Sequence, residues 1–326
     1  MKCRVVIVRK TGGPEVLEID EREVAAPAPG EVLVRHTAIG LNFVEIYFRS
    51  GLYTPPALPY VPGTEASGVV EEIGPGVHDF KVGDRVVYSG GPMGAYSEAR
   101  VISASLLVKL PDGVSDQAAA AAMLKGMTAH CLLHSSYRAQ RGDTILLHAA
   151  AGGVGLIACQ WAKHIGATVI ATVGSEEKAR LVRSYGADHV INYSTEDFVA
   201  RVRDITGGRM VPVVYDSVGQ ATFMKSLDCL RLGGTLVCFG QASGKVPPFD
   251  VNLLGNKGSL YVTRLSMQSY TSTRPALLER AGALFDAIEQ GIVKIDIKQR
   301  FPLLEAAKAQ RALAARETVG QTLLIP

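Results

Sequence analysis

The sequence lacks the marks of several protein classes. Its five cysteines, Cys3, Cys131, Cys159, Cys229 and Cys238, are odd in number and widely spaced, with no C-x-x-C. That pattern argues against a zinc ribbon or a dithiol redox site, and suits small buried residues in a reducing compartment. Long hydrophobic runs are missing as well: Ala118 to Leu124 falls far short of the ~20 residues a membrane span needs. Met1-Lys2-Cys3-Arg4 leads into a brief apolar run before Arg9 and Lys10, too short for a secretory signal core. A cytoplasmic location is the expectation. Charge of one sign is scarce: 34 basic against 31 acidic residues leave +3. With no block of like charges and no RNA motif, neither nucleic acid nor membrane is an expected partner.

What the chain does have is length and glycine. Its 326 residues correspond to about two domains at ~150 residues each, enough to bury a sizeable core. There are 34 glycines, above the usual ~7%, and no low-complexity tract contains them. They point to tight turns or to backbone approaching a ligand.

The first ~120 residues read as short strands punctuated by turns, a mostly antiparallel β region. Val5–Val8, Glu31–His36, Gly68–Ile73 and Arg85–Tyr88 are examples, broken by Gly12-Gly13-Pro14, Pro27-Ala28-Pro29-Gly30 and Gly74-Pro75-Gly76. Ser115 then caps an Ala-rich helix reaching Met123. From Thr144 onward strands alternate with helices: Thr144–Ala149, Gly155–Ile165, Thr168–Val173, a helix capped by Ser175, His189–Asn192, Val213–Asp216 and Thr235–Phe239. That rhythm predicts an α/β doubly wound parallel sheet. Pro275–Gln290 reads as an amphipathic helix and Gln321–Ile325 as a last strand. Pattern alone leaves open which domain this tail joins.

The run Thr144 to Gly155 is a strand, a small-residue turn and a helix start. It fits the G-x-G-x-x-G fingerprint with Ala150 in the first slot, then Gly152 and Gly155. Small residues let backbone amides reach a pyrophosphate at a helix N-terminus. The second strand ends Ala171-Thr172-Val173-Gly174-Ser175, without the carboxylate that binds a ribose 2′-hydroxyl. Gly174 leaves room and Lys178 brings a cation, which suits a 2′-phosphate and hence NADP(H). Glu176 and Glu177 count mildly against this unless they face solvent. No H-E-x-x-H, G-x-S-x-G or Walker loop is present. His130 and His134 are four apart but have no third ligand.

Several segments together resemble the medium-chain dehydrogenase/reductase superfamily: Pro62-Gly63-Thr64-Glu65-Ala66-Ser67-Gly68-Val69-Val70, Gly83-Asp84-Arg85-Val86 and the Ala149–Gly155 loop. Asn42-Phe43, Arg49 to Tyr53, Leu124 to Thr128, Tyr215 to Gly219, Lys257 to Arg264 and Leu323 to Pro326 narrow the likeness to its zinc-free, zeta-crystallin-like quinone oxidoreductases. The resemblance runs end to end. It implies a GroES-like catalytic domain over 1–124, completed by 266–326, and a Rossmann NADPH-binding domain over 125–265. It also implies a cleft between the domains and a homodimer joined through the Rossmann sheets. Where zinc relatives carry Cys, His and Cys ligands, this chain has Asn42, Thr64 and, nearby, Lys125; no metal is expected.

By resemblance, Asn42, Tyr47, Tyr53, Lys125 and Arg264 form the catalytic pocket. Asn42 and Tyr47 lie near the nicotinamide, and Tyr53 borders a quinone. Glu45 stands behind them. The NADPH-binding set is completed by Thr128, Ala151, Gly152, Gly153, Val154, Gly174, Ser175, Lys178, Tyr193, Ser217, Phe239 and Gly240. Rival readings are an NADPH-dependent enone reductase on the same scaffold, and a crystallin-like or RNA-binding protein with NADPH as a regulatory ligand.

Overall fold

The structure is a computed structural model that describes residues 1–55 and 57–326. In chain order its strands are β1 (Lys2–Val8), β2 (Leu17–Glu23), β3 (Glu31–Gly40), β4 (Glu65–Ile73), β5 (Arg85–Ser89), β6 (Ala99–Ser103) and β7 (Val108–Lys109). Then come β8 (Thr144–Leu147), β9 (Thr168–Val173), β10 (His189–Asn192), β11 (Val211–Asp216), β12 (Leu230–Cys238), β13 (Tyr261–Arg264), β14 (Ile297–Pro302) and β15 (Gln321–Ile325). The helices that position the site are α1 (Phe43–Arg49), α2 (Asp116–Cys131), α3 (Gly153–Ile165), α4 (Glu176–Ser184) and α5 (Phe198–Ile205).

The chain forms two compact units. One comprises Met1–Met127, Thr271–Gln290 and Ile295–Pro326; the other comprises Thr128–Tyr270 with Gly291–Lys294. In the first, β1 and β2 pair as an antiparallel ribbon, and a seven-stranded sheet runs β14-β15-β3-β4-β5-β7 with β6 also on β3. All its pairings are antiparallel except β14 with β15. Its core is Val6, Val34, Ile39, Val70, Val86, Tyr88 and Tyr96 with their neighbours. Strand β14 alternates half-buried and exposed residues, as a strand wet on one face does. Ser115 caps α2 by accepting the Ala118 N–H at 3.2 Å. The helix runs to Cys131, past the expected Met123. Gly126 does not stop it. A Cβ there would strike Leu284 of the helix Arg274–Glu289, so close helix packing outweighs weak propensity.

The second unit is a parallel sheet in the order β10-β9-β8-β11-β12-β13. Its inner strands β8, β9 and β11 are near-continuous apolar runs, with every residue of β11 buried, as parallel strands covered on both faces are. Helix α3 ends at Gly166, whose φ of +90° is the left-handed conformation that closes a helix. Strand order reverses between β8 and β11, the point where such sheets take ligands at their carboxyl ends.

Candidate active site

In the second unit the register aligns Ala171, Leu147 and Tyr215 across β9, β8 and β11, then Asp216, Cys238 and Arg264 across β11, β12 and β13. Ala151, Gly152, Gly153, Val154, Gly174, Ser175, Ser217, Phe239, Gly240 and Arg264 therefore share one carboxyl edge. Helix α3 opens from Gly152, which is exposed and carries no side chain. The turn before it holds Ala149 at a φ of +52°, uncommon for a non-glycine residue, and is closed by Gly152 N–H donating to Ala149 O at 3.0 Å. A Cβ on Gly155 would lie 2.6 Å from Ala150 Cα, so the helix seats against the turn only with glycine there. A helix start with little side-chain bulk and a positive dipole fits a dinucleotide pyrophosphate.

The tip of β9 has no carboxylate. A Cβ on Gly174 would come 2.8 Å from Tyr193 Oη. Ser175 Oγ accepts the Lys178 N–H at 3.3 Å, so that hydroxyl serves the cap of α4. Lys178 is half-buried in the first turn. Glu176 is engaged by Asn192 Nδ2 at 3.4 Å, and Glu177 faces solvent. Between β11 and β12, a Cβ on Gly240 would sit 2.5 Å from Ser217 O. Thr128 stands apart from this edge, buried on α2.

The first unit carries a different kind of site. Asn42 precedes α1, and its N–H donates to Glu45 Oε2 at 2.9 Å. Thr64 Oγ1 donates to Glu45 Oε1 at 3.1 Å. Asn42 Nδ2 donates to Glu65 Oε2 at 2.9 Å, the Leu124 N–H donates to Glu65 Oε1 at 2.5 Å, and Lys125 Nζ lies 3.6 Å from Glu65 Oε2. Asn42, Glu45, Glu65 and Lys125 are buried; Thr64 is half-buried. A Cβ on Gly40 would meet the Glu65 carboxylate and Ala120 O, so glycine makes the space. Burial pushes the Glu45 carboxyl up to about 7, against the Thr64 hydrogen bond and Lys125 and with the help of Glu65. Tyr47 is buried and Tyr53 half-buried. Their rings meet edge-on at 5.2 Å, and the Tyr53 N–H donates to Tyr47 O at 2.9 Å. Asn42, Tyr47, Tyr53 and Lys125 thus belong to this unit, whereas Arg264 is exposed at the end of β13 in the other.

Reading the sequence missed three contributors. Glu65 is the hub that ties Asn42 to Lys125, although only its motif drew notice. Asp216 shapes the loop of Ser217: Oδ1 accepts from Val218 and Gly219 N–H at 2.6 and 3.1 Å, and Oδ2 from Thr222 Oγ1 at 2.6 Å. His148 is buried, 2.9 Å from Thr172 Oγ1 and 3.0 Å from Ser226 Oγ. A polar ring following the apolar Ile145-Leu146-Leu147 was its signal. His130 and His134 stack 4.7 Å apart and pack on Trp161. Among the described residues no group of three or more His, Cys, Asp or Glu could hold a metal ion.

Two family models match, and together they define the class: an alcohol dehydrogenase GroES-like domain over residues 28–112 and a zinc-binding dehydrogenase domain over 153–282. The chain is 54% identical to a quinone oxidoreductase of Pseudomonas aeruginosa, covering 97% of each. It is 47% identical to a 2-haloacrylate reductase of Burkholderia sp., covering 98% of each. The crystal structure of Escherichia coli quinone oxidoreductase complexed with NADPH superposes with a TM-score of 0.98 at 49% identity, covering 99% of this chain and 100% of that one. The chain belongs to the quinone oxidoreductase family of medium-chain dehydrogenases/reductases.

Proposed function

We propose that this chain reduces quinones with NADPH and without a metal. The observation that carries the reading is Glu65. Its carboxylate accepts from Asn42 Nδ2 and the Leu124 N–H and is ion-paired with Lys125 at 3.6 Å, so the region where zinc relatives carry ligands holds an amide–carboxylate hydrogen bond and an ion pair instead. The relatives that share the fold support the substrate class, and the P. aeruginosa and E. coli enzymes bear quinone in their names. NADPH is assigned to residues 125–265 and substrate chemistry to 1–124 with 266–326. When bound, NADPH supplies a hydride.

The chain's own residues do the rest. The turn and helix start formed by Ala151, Gly152, Gly153 and Val154 hold the pyrophosphate. Gly174, Ser175, Lys178 and Tyr193 surround the 2′-phosphate, where a hydrogen bond to a charged group is worth ~1.5–3 kcal/mol. Ser217, Phe239, Gly240 and Thr128 border the cofactor's remaining length. Asn42 and Tyr47 orient the nicotinamide. Tyr53 presents a ring against a flat quinone. Lys125 and Arg264 supply positive charge where negative charge develops on the acceptor oxygen. A homodimer through β13 is proposed with this reading, supported by an edge strand whose Tyr261 is 66% exposed. A cytoplasmic setting is supported by five free, buried cysteines.

NADPH oxidation against a panel of quinones, with and without chelator, tests the reading. Turnover indifferent to chelator is expected; stoichiometric zinc lost together with activity overturns it. The 2-haloacrylate reductase relative favours a second reading, reduction of activated C=C bonds. A panel of 2-haloacrylates and enones outpacing every quinone would select it.

A further inference from the structure

Two carboxylates are buried in the polar cluster of the first unit, and one cation pairs with them. Lys125 pairs with Glu65, which also receives Asn42 Nδ2 and the Leu124 N–H. The hydrogen bonds to Glu45 come from the neutral Asn42 N–H and Thr64 hydroxyl. The titratable groups around Glu45 are Glu65 on β4, Lys125 on α2, the phenols of Tyr60 and Tyr96, and Arg49 at the end of its own helix. Burial holds both phenols in their neutral form. Arg49 sits in the field of Glu15, Tyr96 and Tyr60. A second buried carboxylate with no cation of its own is favoured as the neutral acid. Thr64, the half-buried partner of that acid, is its way out.

We propose that Glu45 is the proton reservoir of the reduction, delivering its proton through the Thr64 hydroxyl to the acceptor oxygen. The proposal rests on reading the chain as an NADPH-dependent quinone reductase. Hydride addition gives the quinone two electrons and leaves an oxyanion. The Thr64 O–H bond breaks as its proton bonds to that oxygen. In the acid form this hydrogen bond is reversed, Glu45 Oε1–H donating to Thr64 Oγ1 3.1 Å away, and the Oε1–H bond breaks as its proton bonds to Oγ1. The acceptor leaves as hydroquinone, Glu45 is left as carboxylate, and water returns the proton. Overall, quinone, NADPH and one proton become hydroquinone and NADP+. Glu45 touches the acceptor only through Thr64, so it is a positioning residue for the proton rather than a catalytic one.

Three variants test this. Glu45→Gln keeps an oxygen for the Asn42 N–H, Thr64→Val removes only the hydroxyl, and Thr64→Ser restores it. Glu45→Gln and Thr64→Val should each lower kcat by about 100-fold, the low end of general acid catalysis, with KM for NADPH unchanged, and Thr64→Ser should recover most of it. Wild-type kcat should fall as pH rises through about 7, and that limb should be missing in Glu45→Gln. Infrared difference spectra of the cofactor-free protein should show a protonated carboxyl band that titrates in the same range and is lost in Glu45→Gln. An unchanged pH profile in Glu45→Gln, or wild-type turnover in Thr64→Val, overturns the proposal and leaves the reaction class standing. A wild-type protein that reduces none of the quinones offered with NADPH overturns the reaction class and the proposal with it.

Discussion

In the second unit the parts offered to a ligand are mostly backbone: an amide-lined turn, three glycines that cannot accept a Cβ without a clash, and a loop held by Asp216. In the first unit they are side chains in a buried network, with Glu65 between Asn42 and Lys125, and Glu45 between Asn42 and Thr64. A backbone site depends on shape and tolerates no added atoms. A buried ionic site depends on charge balance and tolerates no missing ones. The two units should therefore fail in different ways under substitution.

Removing a charge from the network is the harshest test. Lys125→Ala leaves Glu65 buried without its cation and should lower stability by about 3–5 kcal/mol, whereas Lys125→Met combined with Glu65→Gln should recover much of that loss. Urea midpoints of the three proteins measure it, and a double variant no more stable than Lys125→Ala would dissolve the network argument.

Acid comes next. His36 is fully buried in the first unit, its Nδ1 2.7 Å from Ser97 O and its Nε2 3.0 Å from Tyr88 Oη, an arrangement that suits a neutral ring. Burial lowers it from 6.5 to about 4. The unfolded chain then binds the extra proton, so stability is whole above the unfolded value and is lost as pH falls from 6.5 toward 4, by about 3 kcal/mol. Burial lowers His148 of the second unit too, so stability against pH must be compared with a His36→Gln variant. An unchanged acid slope in that variant would remove His36 from the account.

Adding an atom to the backbone site is a smaller perturbation. Gly155→Ala places a Cβ 2.6 Å from Ala150 Cα and should lower stability by about 2 kcal/mol, as overpacking does. It should also weaken dinucleotide binding. Calorimetry and NADPH titration read both, and wild-type affinity would mean the turn yields easily. Lys178→Ala should weaken NADPH by about 10- to 150-fold, nearer the lower end because this half-buried cation is screened. NADH should be unaffected; equal losses for both cofactors would tie Lys178 to the pyrophosphate or the fold. The mildest change is Tyr53→Ala, where losing an aromatic surface worth ~0.5–1.5 kcal/mol should slow quinone turnover two- to tenfold with NADPH affinity kept. A collapse of NADPH binding would reassign Tyr53.

The same contrast governs what could be read from the sequence. The second unit announces itself locally: each strand, turn and helix start is contiguous, so Thr144–Gly155 and the bare tip at Gly174 were legible. The ionic network joins Asn42, Glu45, Thr64, Glu65 and Lys125 from separate stretches, and no periodicity links a buried glutamate in β4 to a lysine on α2. Helix α1 spans seven residues, too few to show a period. The spacing of Asn42 and Glu45, cap and third position, was its one local sign. Without the resemblance, Asn42 and Lys125 would have gone unnoticed, and Glu65 was passed over even with it.

The first sheet also has a history in time. Strand β15 lies between β14 and β3, pairing Leu323 with Gly40 and Leu324 with Ile39, while the Leu41 N–H donates to Thr322 O at 3.2 Å. The residues leading into Asn42 are thus pinned by a strand that is synthesised long after them. Nearly all of the second unit is one continuous segment, free to fold during synthesis as domains do. The first must wait, with Ile39 and Gly40 of β3 lacking their β15 partners, until some 280 further residues have been made. Chaperone dependence, aggregation of stalled chains and sensitivity to changes near Leu323 should all be read first at the segment that begins with Asn42.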